Sequence, residues 1–234
     1  MLKYAILLVV DLVIFKYIGF IPGLIGLAII AYRVSDAIGF TRSIKFYRGA
    51  FVEGTVYTKD YTGSYKNIGS KFEEVQKILE RFKLEKAYSL ISIYYDCPGK
   101  SDVPEDKHRA CIGIYKKKTS DFIHSNEEFE KYVLENGYKK NTIPSSSSLF
   151  SDWYFVNSFS LMYGIKKFYN ELGTSFTDPQ FKKDYKLKGD NIKVSVELYE
   201  TKDTVKFYIP TVNEEKFMIH DSFPKTPAEP AESQ

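Results

Sequence analysis

Cysteine, tryptophan, methionine and histidine are all scarce in this 234-residue chain, at two, one, three and three. Two cysteines, Cys97 and Cys111, cannot staple a chain of this length, so a disulfide scaffold is excluded and stability must come from an apolar core. Charge of one sign is lacking too. The net charge is +3, and beyond residue 33 the basic and acidic side chains number 30 and 29. So even a balance gives no electrostatic footprint for DNA or RNA, and no direct nucleic-acid binding is expected. No nucleophile elbow, P-loop, His-Glu-x-x-His or dinucleotide fingerprint occurs. No Asn-x-Ser/Thr sequon occurs either, which with so few cysteines fits a reducing compartment.

Aromatic residues, by contrast, are abundant, with 19 Tyr and 18 Phe. They favour strands and suit an aromatic-lined cleft. The N-terminus is the other rich region. Residues 4–32, "YAILLVVDLVIFKYIGFIPGLIGLAIIAY", are apolar except for Asp11 and Lys16. About 20 apolar residues span a bilayer, so residues 1–33 are expected to form a single transmembrane anchor. The two charges each cost about 2.5–3.5 kcal/mol at a span centre. With Pro22-Gly23 permitting a bend, they leave a re-entrant hairpin as the alternative. A cleaved signal peptide fits less well, because the run exceeds an h-region and no small-x-small site follows. Arg33, Arg42, Lys45 and Arg48 follow the segment and only Lys3 precedes it, which places the remainder in the cytoplasm by the positive-inside rule.

Residues 34–42 read as a connector, 43–212 as the folded domain and 213–234, rich in Pro and small polar residues, as a disordered tail. In the domain, residues 44–69 predict a strand and loop. Residues 70–85 predict an amphipathic helix, with Ser70 and Glu73 at capping-box spacing and Phe72, Val75, Ile78, Leu79 and Phe82 on one face. Strands follow at 89–95 and 109–115, then a short helix at 126–135 with Ser125 and Glu128 as its box and Gly137 as its stop. The second half repeats the order: a strand at 147–156, a helix at 158–172 and a hairpin of 191–200 with 204–210. The fold class expected is therefore α+β: a duplicated βαββ unit forming one antiparallel sheet, helices on one face, the other face free to form a cleft.

"IKFYRGAFVEGTVY", "LISIYYDCPGKSDVPEDKHRACIGIY" and "VSVELYETKDTVKFYIP" resemble the signature segments of GyrI-like domains. The likeness runs from Ser43 to Thr211. It is closest at Tyr94-Tyr95, Asp96, Pro98, Val103-Pro104, Asp106-Lys107, Arg109, Cys111 and Gly113, where it matches the testis-expressed protein 264-like branch. The resemblance implies a single-pass protein of the endoplasmic reticulum membrane with a cytosolic βαββ pair. Its partners would be an AAA ATPase and autophagosomal ubiquitin-like proteins. In that branch a long acidic, Ser-rich tail carries an aromatic-x-x-aliphatic autophagy motif. The tail here is short, and the one stretch so worded is Phe72-Glu73-Glu74-Val75, whose Phe72 and Val75 are also core positions of the first predicted helix.

GyrI-like domains that take cationic aromatic drugs use a buried acid among aromatics, and a few relatives hydrolyse small molecules with a Glu and a Tyr. The matching residues here are Glu197 and Tyr199. Alternation places Cys111, Gly113 and Tyr115 on one face of their strand, and Ser195, Glu197 and Tyr199 on one face of theirs. The expected cleft is thus lined by Glu197, Tyr199, Tyr208, Gly113 and Tyr115, and would hold a small cationic or aromatic ligand. Cys97, His108 and Cys111 are zinc-type ligands without a fourth partner or Cys-x-x-Cys pairing, so no metal and no cofactor is expected. Two functions follow: a membrane adaptor, or a membrane-tethered domain that binds or hydrolyses a small molecule.

Overall fold

The computed structural model describes residues 2–17, 20–96, 103–117, 127–187 and 192–223. Cys97, Pro98, His124, Ser125 and residues 224–234 lie outside them. The chain divides into two compact units, one of residues 1–45 with 153–174, the other of residues 46–152 with 175–234.

The second unit holds the sheet apart from residues 153–154. Its strands are β1 (Tyr47–Phe51), β2 (Gly54–Thr62), β3 (Ser89–Tyr94), β4 (Arg109–Lys117), β5 (Lys139–Ile143), β6 (Ser146–Tyr154), β7 (Ser195–Thr201) and β8 (Thr204–Pro210). They form one sheet in the order β1-β6-β8-β7-β3-β4-β2-β5, and the pairs β1–β6, β2–β4, β2–β5, β3–β4, β3–β7 and β7–β8 are antiparallel. The duplication is present, with one strand more per repeat than expected. Each repeat opens with two strands, and the first of them pairs with the other repeat: β1 with β6, β5 with β2. Only residues 52–53 join β1 to β2, and only 144–145 join β5 to β6. These short links connect opposite ends of the sheet, so the sheet must curl until its edges approach each other.

Two sequence features hid the extra strands. The segment 44–62 reads as one alternating run, yet Val52-Glu53 turns it from one sheet edge to the other. β5, "KKNTI", carries little apolar signal, and its side chains alternate between half-buried and exposed until Ile143.

The two faces of the sheet are both apolar. Helices α3 (Gly69–Arg81) and α4 (Glu127–Glu135) cover one, burying Val75, Ile78, Leu79, Phe129 and Val133 with Tyr57, Ala110, Ile112 and Ile114. α3 begins one residue before Ser70, with Ile68 as an N-cap that offers no side-chain hydrogen bond, so the expected capping box does not form. The other face carries Phe51, Val56, Ile91, Ile93, Tyr95, Cys111, Tyr115, Val196, Leu198 and Tyr208. This face is not free. A 3-10 turn at Glu214–Phe217 inserts Phe217, fully buried, and Met218, Ile219 and Phe223 pack beside it. The expectation of disorder from residue 213 onward is therefore corrected: the apolar residues 217–219 and 223 hold the segment onto the sheet. A last helix of this unit, α6 (Pro179–Tyr185), is capped by Asp178 and sets Phe181 against Phe46 at 5.3 Å between ring centroids.

In the first unit, α1 (Leu2–Tyr17) and α2 (Phe20–Ile38) are separate helices packed on each other, where one continuous span was expected and a hairpin was the alternative. α2 runs unbroken through Pro22-Gly23. Pro22 sits in the first turn of α2, where its missing N–H removes no helical bond. Residues 21–38 are long and apolar enough to cross a membrane, by length and composition. α2 also runs through the expected boundary at Arg33 to Ile38, so residues 34–42 are no loose connector. Trp153 anchors their end: Gly39, at φ +97°, lies against the indole so closely that a Cβ would fall 2.3 Å from Trp153 Cζ2. The remaining helix, α5 (Ser158–Ser175), starts at a reciprocal cap in which Ser160 N donates to Asn157 Oδ1 at 2.9 Å and Asn157 N donates to Ser160 Oγ at 3.2 Å.

Candidate functional site

Register decides which of the five expected cleft residues meet. Glu197 on β7 pairs with Ser92 on β3 and Phe207 on β8; Val196 pairs with Ile93 and Tyr208. Paired residues share a face. Glu197 and Tyr199 therefore lie on the side that α3 covers, while Tyr208, Gly113 and Tyr115 lie on the opposite side with Cys111. Alternation within each strand is as expected, but it does not say how the strands are registered, so the single five-residue cleft is corrected to two separate places.

On the α3 side, Glu197 is only 2% exposed. The Tyr199 hydroxyl donates to Glu197 Oε2 at 2.8 Å and the Tyr94 hydroxyl donates to the same oxygen at 3.3 Å. Burial, and then the Glu197 charge, push the Tyr94 phenol well up, so it stays a protonated donor. Aromatic rings close the surroundings. Phe72 of α3 meets Tyr199 edge-on at 5.2 Å, and Tyr65 meets Tyr94 at 4.9 Å. Phe72 is thus packed on the candidate carboxylate's neighbour and Val75 is 1% exposed in the core. Presenting Phe72 and Val75 to a partner as a strand would unwind α3.

On the opposite side, Gly113 serves the sheet itself. A Cβ there would fall 1.8 Å from the Tyr57 carbonyl oxygen, so the missing side chain admits strand β2, not a ligand. The Tyr115 hydroxyl donates to the Val52 carbonyl at 2.8 Å, and the Phe51 ring stands 5.4 Å from Tyr115, 5.2 Å from Tyr208 and 5.5 Å from Phe217. Tyr95, whose hydroxyl donates to the Phe217 carbonyl at 2.9 Å, completes the enclosure.

At the rim of this side is a polar group that composition did not reveal. Cys111 donates its thiol proton to Asp60 Oδ1 at 3.3 Å, Lys139 donates to Asp60 Oδ2 at 2.8 Å, and Asp221 pairs with the same lysine. Burial alone would raise the Asp60 carboxyl; Lys139, the Asp221 N–H and Cys111 outweigh it and hold it below the ordinary carboxylate range. Burial pushes the Cys111 thiol up, leaving a protonated sulfur and not a nucleophile. Nearby, Arg109 clasps Asp96 through both oxygens, Nη2 to Oδ1 at 2.8 Å and Nε to Oδ2 at 2.9 Å. That clasp ties residue 96, just past β3, to the first residue of β4. His108 turns away from Cys111 toward Tyr65, at 5.0 Å between ring centroids, so the two do not converge. Among the described residues no group of three His, Cys, Asp or Glu side chains is placed to hold a metal.

A small cavity of about 40 Å³ lies between α3 and the sheet, lined by Lys59, Lys71, Glu74, Val75, Ile112 and Tyr138 among others, which is room for two or three waters.

No protein-family model and no curated protein matches the sequence. Several solved structures are similar in coordinates. An integron cassette protein from the mobile metagenome of Vibrio cholerae is 11% identical with a TM-score of 0.43, the match covering 72% of this chain and 97% of that one. SAV2435, solved with tetraphenylphosphonium bound, is 9% identical with a TM-score of 0.44, covering 73% and 96%. A Listeria innocua hydrolase encoded by lin2189 is 11% identical with a TM-score of 0.41, covering 76% and 97%.

Proposed function

We propose that the chain is a membrane-tethered binding module whose sheet unit receives a small cationic, aromatic ligand at Glu197. The observation that carries this reading is a carboxylate 2% exposed, with two tyrosine hydroxyls on one oxygen and aromatic rings around them. Burying a carboxylate is costly, and aromatic faces with a buried negative charge attract an aromatic organic cation by Coulomb and cation–π terms together. Entry requires Phe72 to swing from Tyr199, so α3 acts as the gate. The apolar helices α1 and α2 are the tether, and the basic residues after them favour a cytosolic domain. The test is titration of the purified chain with tetraphenylphosphonium, followed by tyrosine fluorescence. Glu197→Gln, checked for folding by circular dichroism, is expected to weaken binding about tenfold or more. Equal binding by the variant, or none by either protein, overturns the reading.

A second reading is a membrane adaptor of the endoplasmic reticulum, carrying an AAA ATPase or an autophagosomal ubiquitin-like protein. What favours it is that the chain's own Phe217 fills the sheet face that was expected to form the cleft. Proximity labelling in cells discriminates. Enrichment of those partners that survives Glu197→Gln supports the adaptor, and their absence removes it.

A further inference from the structure

The joint between α2 and α5 is built stiffly, within one compact unit. Phe40 packs edge-on against Tyr163 at 4.5 Å and near Phe159 at 6.4 Å. Arg42 donates from Nη1 to the Tyr154 carbonyl at 2.8 Å and from Nη2 to the Asp36 carbonyl at 3.0 Å, and Lys167 donates to the Arg42 carbonyl. The guanidinium also lies over the Trp153 and Tyr154 rings, at 5.8 and 5.6 Å. α2 therefore ends in a fixed collar and not in a hinge.

Around that collar large apolar side chains remain in the open: Phe40 at 47%, Tyr154 and Val156 at 48%, Phe159 and Met162 at 59%. Scattered exposed apolar residues are ordinary on a soluble surface. These are not scattered. They gather where a helix of bilayer-crossing length ends, and polarity changes along α5 in a graded way. Phe159 and Met162 share a face by their three-residue spacing, and exposed Lys166, one turn on, continues it. Aromatic rings followed by basic groups one turn further is the composition of the headgroup layer of a membrane.

We propose that this collar is a second membrane contact: Phe40, Tyr154, Phe159 and Met162 sit in the interfacial layer of the bilayer that α1 and α2 enter, with Lys166 reaching lipid phosphates. The inference rests on the membrane reading of those helices. It adds that the collar and α5 are seated on the bilayer surface and not held away from it by a free linker.

The experiment uses the full chain with Cys97→Ser, reconstituted into phosphatidylcholine vesicles containing phosphatidylserine; Cys111, buried and protonated, does not compete for label. An environment-sensitive fluorophore is placed by Leu27→Cys, Phe159→Cys, Met162→Cys and, as the solvent reference on the same helix, Glu171→Cys. Labels at 27, 159 and 162 are expected to shift to the blue and lose most of their emission to nitroxide lipids. Those at 159 and 162 should respond best to headgroup-level nitroxides, and the label at 171 should not respond. If 159 and 162 behave like 171 while 27 is quenched, the collar proposal falls and the tether stands. If 27 also behaves like 171, the tether itself falls.

Discussion

At the scale of single residues, the informative positions are those where a side chain is either forbidden or paired. Gly113→Ala would drive a Cβ into the Tyr57 carbonyl, and backbone cannot yield as a flexible side chain can. The substitution is expected to lower stability by about 3 kcal/mol in urea unfolding. The Asp96 carboxyl, which burial alone would raise, is held below the ordinary range by Arg109, and Asp60 likewise by Lys139. A depressed carboxyl means that the unfolded chain takes up its proton first. The stability these pairs contribute is therefore complete above about pH 4 and lost as pH falls through the folded values. Asp96→Asn is expected to cost about 2–3 kcal/mol at neutral pH. Thermal melts between pH 3 and 6 should show a shallower acid slope for the variant; an unchanged slope would remove Asp96 from the account.

At the scale of elements, the segment 214–223 behaves as part of the core despite its tail-like sequence. Phe217 has no exposure and touches Phe51, and Phe217→Ala is expected to lose about 3–5 kcal/mol by leaving a cavity. Hydrogen exchange should then quicken at residues 214–223 first. The sequence could not announce this segment, because anchoring by Phe217 and Phe223 is a long-range match and not a local pattern. Much else was local and legible. The amphipathic period of α3 and α4, the β7–β8 hairpin and the start of α5 are read directly from spacing, whereas α5 runs past its expected end at 172 to Ser175. Glu197 and Tyr199 were also legible as a pair, since they are two apart on one strand. What failed is what depends on register. Gly113, Tyr115 and Tyr208 alternate just as expected on their own strands, yet the pairing of Val196 with Tyr208 puts them on the other side from Glu197. Pro22 misleads for the same kind of reason: it reads as a possible kink until its place in the first helical turn is known.

At the scale of the sheet unit, the exchanged strands β1 and β5 make each repeat incomplete alone. Every repeat completes its partner's sheet, so the two cannot come apart separately. Urea unfolding of this unit is expected to be a single transition, coincident by far-ultraviolet circular dichroism and by tyrosine signals. Two separated transitions would contradict the interlock.

Phe217 also has a consequence for how the molecule is made. It follows every strand of the sheet among the described residues, so the ribosome releases the filling of the sheet's second face after the strands that surround it. Until then Phe51, Tyr115 and Tyr208 stand uncovered on a nascent domain whose leading helices have already emerged. Chains truncated by premature termination before residue 217 would display that aromatic face permanently, and would be the form that chaperones and quality-control proteases bind.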